Sequence, residues 1–322
     1  MIKLNKNKLI VILGPTATGK TKLAVKLARD FNGEIVSADS RQVYKSMDIG
    51  TGKDLGEYKL KTPASPAGRK NLKLKTIPHH LIDVVSPKKR FSLAQYQKLA
   101  YQAIDDILKR GKTPFLAGGT GLYIQAMVDG YVLADVKPDL KLRAALNKKT
   151  LKQLQQLAKK CGIILNQSDF NNKRRLIRVI EIKTQNLKLK TPAFAKASAG
   201  GKNFPKYNYL LIGITYPKKI LNKRIGERLK YRLEKEGLID EVKRLKKQGL
   251  SWKKLDDFGL EYRFICQYLQ GKLTYSEMFN KLAIAIRQFA KRQMTWFKRN
   301  QRIIWIKNSI DANELIRGFL KK

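Results

Sequence analysis

One octapeptide constrains this chain more than any other feature. Gly14, Pro15, Thr16, Ala17, Thr18, Gly19, Lys20 and Thr21 fit the pattern G-x-x-x-x-G-K-[ST]. The octapeptide follows an apolar run, Leu9-Ile-Val-Ile-Leu13, and precedes Leu23, Ala24, Leu27 and Ala28 at helical spacing. A strand, a glycine-rich loop and a helix in that order make the ATP-type P-loop of nucleotide-binding proteins. The glycines let backbone N–H groups close around phosphate oxygens, and the helix N-terminus adds partial positive charge. Lys20 supplies a point charge, and the Thr21 hydroxyl suits a Mg²⁺ ligand. The motif predicts phosphate binding without saying whose phosphate.

The strand–helix alternation continues. Short apolar runs at 34–36, 81–85 and 113–117 alternate with helix-like stretches such as 92–111, which predicts an α/β fold, a doubly wound parallel sheet. From about 134 the pattern turns mostly helical, with one further strand at 209–215. Two segments, 59–76 and 184–202, lack periodicity and share the hexapeptide Lys-Leu-Lys-Thr-Pro-Ala at 59–64 and 188–193. They read as mobile surface loops with no catalytic duty.

Charge narrows the partner. The chain carries 68 Lys+Arg against 25 Asp+Glu, a formal +43. Residues 1–130 hold 23 basic and 10 acidic side chains, residues 131–322 hold 45 and 15, and 141–202 alone hold 16 and 2. An excess on that scale calls for a polyanion, a polyphosphate or a nucleic acid. No apolar run approaches the roughly 20 residues of a membrane span, and the N-terminus shows no signal-peptide core. Two cysteines and two adjacent histidines offer no disulfide framework or zinc spacing. A soluble, cytoplasmic protein is expected.

Other residues carry candidate chemistry. Asp39 directly follows the strand at 34–36, at the carboxyl edge where α/β sheets place their ligands. It could accept a proton, hold Mg²⁺ through water, or cap a following helix. Asp83 could belong to a Walker-B-like strand or be structural. Gly118-Gly-Thr120-Gly121 makes a second close-approach loop at a strand end, or a plain turn. Arg174 and Arg178, Arg224 and Arg228, and Arg287 and Lys291 each share a helix face that can meet phosphates or stay solvated. Phe289, Gln293 and Trp296 line another face of the last of these helices.

Taken together, GPTATGKT, SADSRQVYKSMDIGTGK, PHHLIDVV, AGGTGLY, RRLIRVIE and RQFAKRQMTWFK resemble the tRNA dimethylallyltransferases, over about 8–54, 77–133 and 170–300. The resemblance implies transfer of a prenyl group from dimethylallyl diphosphate to N6 of adenosine 37, beside the anticodon of tRNA. It implies that Gly14–Thr21 hold the donor's diphosphate with Mg²⁺ at Thr21. Asp39 becomes the proton acceptor, Thr120 fixes base and diphosphate, and Arg224 adds to the clamp. Asp39, Ser40, Arg41 and Gln42, with Arg174, Arg175, Leu176, Ile177 and Arg178, match the family's tRNA-contacting segments. The implied layout is a P-loop core begun by 1–133, a basic helical insertion at 134–175 that contacts the tRNA anticodon stem-loop, and 176–322 completing the core with C-terminal helices.

The chain departs from the family where Glu261 replaces a usual glycine and where the insertion is short. It shows no eukaryotic-type zinc finger, which favours the bacterial type. A monomer suffices for such a reaction. The rival readings are a P-loop small-molecule kinase, which leaves the basic half unexplained, and a nucleic-acid NTPase, which lacks a convincing Walker B.

Overall fold

In the computed structural model, which describes residues 7–60, 75–131, 138–165, 167–189, 206–306 and 309–321, β1 (Lys8–Leu13) is buried at all six positions. That is what a continuous apolar run requires when both faces of a strand are covered. Its neighbours are β6 (Thr113–Gly118) and β7 (Asn208–Ile214), both parallel to it. Outside these lie β2 (Gly33–Ser37) then β5 (His79–His80) on one side, and β8 (Ile304–Ile306) on the other. The sheet order is β5-β2-β6-β1-β7-β8, parallel throughout.

Alternate residues of β1 feed opposite cores. Ile10 and Ile12 pack with Leu23 and Leu27 of α1 (Lys20–Asp30) and Ile316 of the C-terminal helix Ser309–Lys321. Leu9, Val11 and Leu13 pack with Tyr96 and Ile104 of α2 (Leu93–Lys109) and Met127 of α3 (Gly121–Val128). Ser92 starts α2 with a full capping box, as the helix-like stretch at 92–111 anticipates.

The chain divides into two compact units, 1–130 with 205–322, and 131–204. In the second, α4 (Leu140–Asn147), α5 (Leu151–Lys160), α6 (Gln167–Phe170) and α7 (Lys173–Leu189) enclose a small core of Leu146, Leu154, Ala158, Leu176, Ile177 and Ile180. The boundary expected at 175 falls inside α7, because Leu176, Ile177 and Ile180 face that core.

In the first unit the later helices are α8 (Lys218–Glu234), α9 (Leu238–Lys247), α10 (Trp252–Phe258), α11 (Leu260–Leu269) and α12 (Tyr275–Phe297), with Ser309–Lys321 as α13. α8 to α12 share a core with Val43, Tyr44 and Met47.

Two local expectations change. The run 81–85 is not a strand: Leu81 and Asp83 take positive φ of 63° and 57°, and only Val85 bridges to Tyr44. Lys59–Leu60 and Lys75–Thr76 pair as β3 and β4 of a two-stranded antiparallel sheet, while 184–189 belong to α7. The remainder of both inserted segments, 61–74 and 190–202, lies outside the described residues. No helix among the described residues is long and apolar enough to cross a membrane.

Candidate active site

β1, β2 and β6 end side by side, with Leu13 opposite Gly118 and Ser37 opposite Ala117. The three loops that leave them therefore converge at the carboxyl edge of the sheet. A cavity of about 790 Å³ opens there, within the first unit. Thr16, Ala17, Gly19, Lys20 and Thr21 line it, as do Asp39, Ser40, Arg41, Gln42, Thr120 and Arg224.

The phosphate loop has the geometry its sequence implies. A Cβ on Gly14 would sit 2.2 Å from the Ile214 carbonyl oxygen, so the close approach demands glycine. Gly19 precedes α1 at φ 78° and places no side chain on the helix's first N–H groups. Ala17, also at positive φ, stores strain in the loop. Lys20 Nζ and Thr18 Oγ1 both donate to the Pro15 carbonyl, at 3.0 and 2.9 Å. Burial lowers the Lys20 ammonium from 10.5 to about 8, against the opposing pull of Asp39. Arg224 Nε donates to the Ala17 carbonyl at 2.8 Å, and its guanidinium lies 4.9 Å from the Tyr216 ring centre.

The neighbouring loop carries Asp39. Its Oδ1 accepts the Arg41 N–H at 2.8 Å, which makes a turn and not a helix cap. Thr120 Oγ1 accepts the Ser40 N–H at 3.0 Å, and the Thr120 N–H reaches the Ala38 carbonyl at 3.1 Å. The Thr120 hydroxyl thus ties two loops together. Gly118 allows this, since a Cβ there would meet the Ala38 carbonyl oxygen at 2.2 Å.

Three buried polar side chains that sequence reasoning did not assign hold these loops. Lys53, 0 % exposed, donates to the Tyr44 carbonyl at 2.8 Å and to Asp48 and Asp83 at 2.6 Å each. This engages Asp83 structurally and removes the Walker-B reading. Glu241 accepts the N–H groups of Asp48, Ile49 and Gly50 at 2.7, 2.7 and 3.0 Å and the Tyr262 hydroxyl at 2.8 Å. Gln293, singled out only as lining a helix face, bridges the Thr16 N–H and the Gly119 carbonyl. Glu241 and Gln293 have partners remote in sequence, and Lys53, which ends SADSRQVYKSMDIGTGK, gives no sign there of its bond to Asp83.

Other expected residues turn inward. The Gln42 amide accepts from Ser37 Oγ and donates to the Gly52 carbonyl, both at 2.8 Å, so it braces the loop. Arg228 and Arg232 both pair with Asp54, at 2.6 and 2.9 Å. Glu261 lines the cavity, where burial pushes its carboxyl up while Arg232 and Arg228 pull it back.

Arg174 to Arg178 belong to the second unit. Leu176 and Ile177 are core residues there, so their side chains cannot contact RNA as the resemblance implies. Arg175 pairs with Asp169, and Arg178 with Glu181 at 2.5 Å. Arg174 is exposed.

These features define a P-loop α/β protein whose phosphate loop faces a carboxylate across one cavity. The IPP transferase family matches residues 42–300, and the isopentenyl transferase family matches 7–63. The chain belongs to the IPP transferase family, that of the tRNA dimethylallyltransferases. It is 45% identical over 318 residues to tRNA dimethylallyltransferase 1 of Syntrophus aciditrophicus, covering 97% of each chain. It is 41% identical to the Parabacteroides distasonis enzyme of the same name, over 96% of this chain and 95% of that one. Among solved structures, the tRNA isopentenylpyrophosphate transferase of Bacillus halodurans superposes with a TM-score of 0.67 at 35% identity, covering 98% and 97% of the two chains. A eukaryotic dimethylallyltransferase acting on tRNA gives 0.70 at 25% identity, over 90% of this chain and 69% of that one.

Proposed function

We propose that this chain transfers the dimethylallyl group of dimethylallyl diphosphate to N6 of adenosine 37 in cytoplasmic tRNAs, releasing diphosphate. One observation carries the reading: Lys20 and Asp39 line a single cavity from the ends of β1 and β2, the two strands that flank β6. A leaving anion and a departing proton need opposite charges at that separation of roles.

The N6 nitrogen attacks the allylic carbon, and the C–O bond to the diphosphate breaks with its electron pair on the leaving oxygen. Asp39 takes the N6 proton. Lys20, the α1 N–H groups and Arg224 neutralise the charge that develops on the diphosphate. Thr120, held by Ser40, keeps the base side of the cavity in register with the loop. A stacked adenine cannot enter such a cavity, so the base is extruded from the anticodon loop. Asp39–Gln42 present the first unit's RNA-facing loop, and Arg174, Arg175 and Arg178 give the second unit a cationic edge.

Thr21 suits Mg²⁺, and no cluster of three His, Cys, Asp or Glu side chains exists among the described residues to hold an ion alone. The Thr21 hydroxyl would hold the ion beside the diphosphate, and the ion would supply further charge neutralisation there. One chain holds every group named here, so a monomer suffices.

Incubation with dimethylallyl diphosphate, Mg²⁺ and unmodified tRNA carrying A36-A37-A38, followed by nucleoside analysis, tests the reading. N6-isopentenyladenosine is expected. ATP turnover without it would sink the proposal in favour of a kinase or NTPase.

A further inference from the structure

The long helix α12 sends one amide into the gap between the phosphate loop and the end of β6. Gln293 is 8 % exposed. Its Oε1 accepts the Thr16 N–H at 2.9 Å, and its Nε2 donates to the Gly119 carbonyl at 2.8 Å. A Cβ placed on Gly119 would lie 2.6 Å from Gln293 Nε2 and 3.5 Å from Lys20 Cε. The amide and the Lys20 stem therefore converge on the same spot.

In nucleotide-hydrolysing proteins with this motif, the loop backbone and its lysine cradle the β- and γ-phosphates of a triphosphate. A phosphate chain seated on the α1 N-terminus and running past Lys20 reaches the front of the loop. Here that front is held by Gln293, which lines the cavity beside Thr16. The Thr16 N–H is already bonded, the gap is filled by a side chain, and removing that side chain would expose the Gly119 carbonyl oxygen.

We infer that Gln293 sets the length of phosphate chain the loop accepts: its amide stands where a third phosphate would sit, so the site takes a diphosphate and rejects a triphosphate. This rests on the reading of the loop as the donor's diphosphate site and adds that nucleoside triphosphates should not compete for it. Specificity comes from an occupied position and a withdrawn donor, more than from any added attraction to the diphosphate.

The test is calorimetric binding of inorganic pyrophosphate and inorganic tripolyphosphate, with Mg²⁺, to the full chain. The intact protein is expected to prefer pyrophosphate by about tenfold or more, the discrimination a filled pocket position gives. In Gln293→Ala the preference should shrink to about threefold or less, through a gain for tripolyphosphate. Gln293→Ser carries the same test if the alanine variant does not fold. Equal binding of the two anions by the intact protein, or an unchanged ratio in a folded variant, overturns the inference. The measurement needs neither prenyl donor nor RNA. A protein that shows the ratio but makes no N6-isopentenyladenosine would refute the transferase reading and leave the role of Gln293 standing.

Discussion

The loops around the first unit's cavity and the helical cluster of the second unit each hold a buried carboxylate among donors, but over different lengths of chain. Glu241 reaches the Asp48 N–H across 193 positions, and Gln293 reaches Thr16 across 277. In the second unit Glu181 takes Arg178 and Arg143 at separations of 3 and 38. Burial opposes ionisation of Glu181, yet its two arginines and the Asp139 N–H hold the carboxyl below its usual range. The first region is assembled from distant segments around a cavity, while the second is a local helical unit with its own core. Damage to one should therefore read out differently from damage to the other.

The largest expected effect lies in the cavity. Asp39→Ala should lower the rate of prenyl transfer by about 10²- to 10⁴-fold, the worth of a positioned base. Pyrophosphate affinity should stay within a few-fold of the parent, and near-normal turnover would remove Asp39 as the proton acceptor. Glu241→Ala leaves three backbone N–H groups and the Tyr262 hydroxyl without that partner and should cost about 3 kcal/mol or more, at about 1–3 per buried orphaned donor. Denaturant unfolding checks this, and a loss under 1 kcal/mol would show that the 48–50 loop holds its own shape.

In the second unit, Leu176→Ala should cost about 2–4 kcal/mol as a core truncation. Hydrogen exchange should place the loss in α4 to α7, and pyrophosphate binding should be preserved. A matching loss of pyrophosphate affinity would undo the contrast between the two regions.

The pH dependence of the cavity follows from Lys20. Its ammonium binds the anion, and burial lowers its pKa to about 8. Pyrophosphate affinity should thus be fully developed below that pH and fall above it by up to about tenfold per unit. Lys20→Met should flatten that part of the profile, and an identical profile in the variant would assign the titration elsewhere. The smallest effect belongs to the exposed Arg174. Arg174→Gln should weaken tRNA binding only a few-fold and reduce the salt slope by about 0.9, one phosphate contact.

The same contrast explains what the sequence made legible. The phosphate loop, α1 and the close approach at Gly118 are local patterns, so residue order alone exposes them. Helical spacing in 174–178 also locates α7, but it cannot say that Arg178 turns to Glu181 or that Leu176 and Ile177 face inward. Asp83 is left open for a related reason: it sits inside the apolar run 81–85, and only the structure shows that Lys53, 30 positions away, claims it. Lys53, Glu241 and Gln293 stay silent because a buried polar residue has no period, only a partner. The family resemblance supplies roles for motif residues but not for these three.

The bond between Thr16 and Gln293 also has a bearing on synthesis. The phosphate loop leaves the ribosome well ahead of the side chain that bonds it, which lies on α12, 277 positions later. A nascent chain carrying only the first sheet strands would present an open phosphate loop with no limit on the anion it admits. Selectivity is therefore acquired late, when α12 docks. The loop becomes discriminating only once α12 is there to bond it.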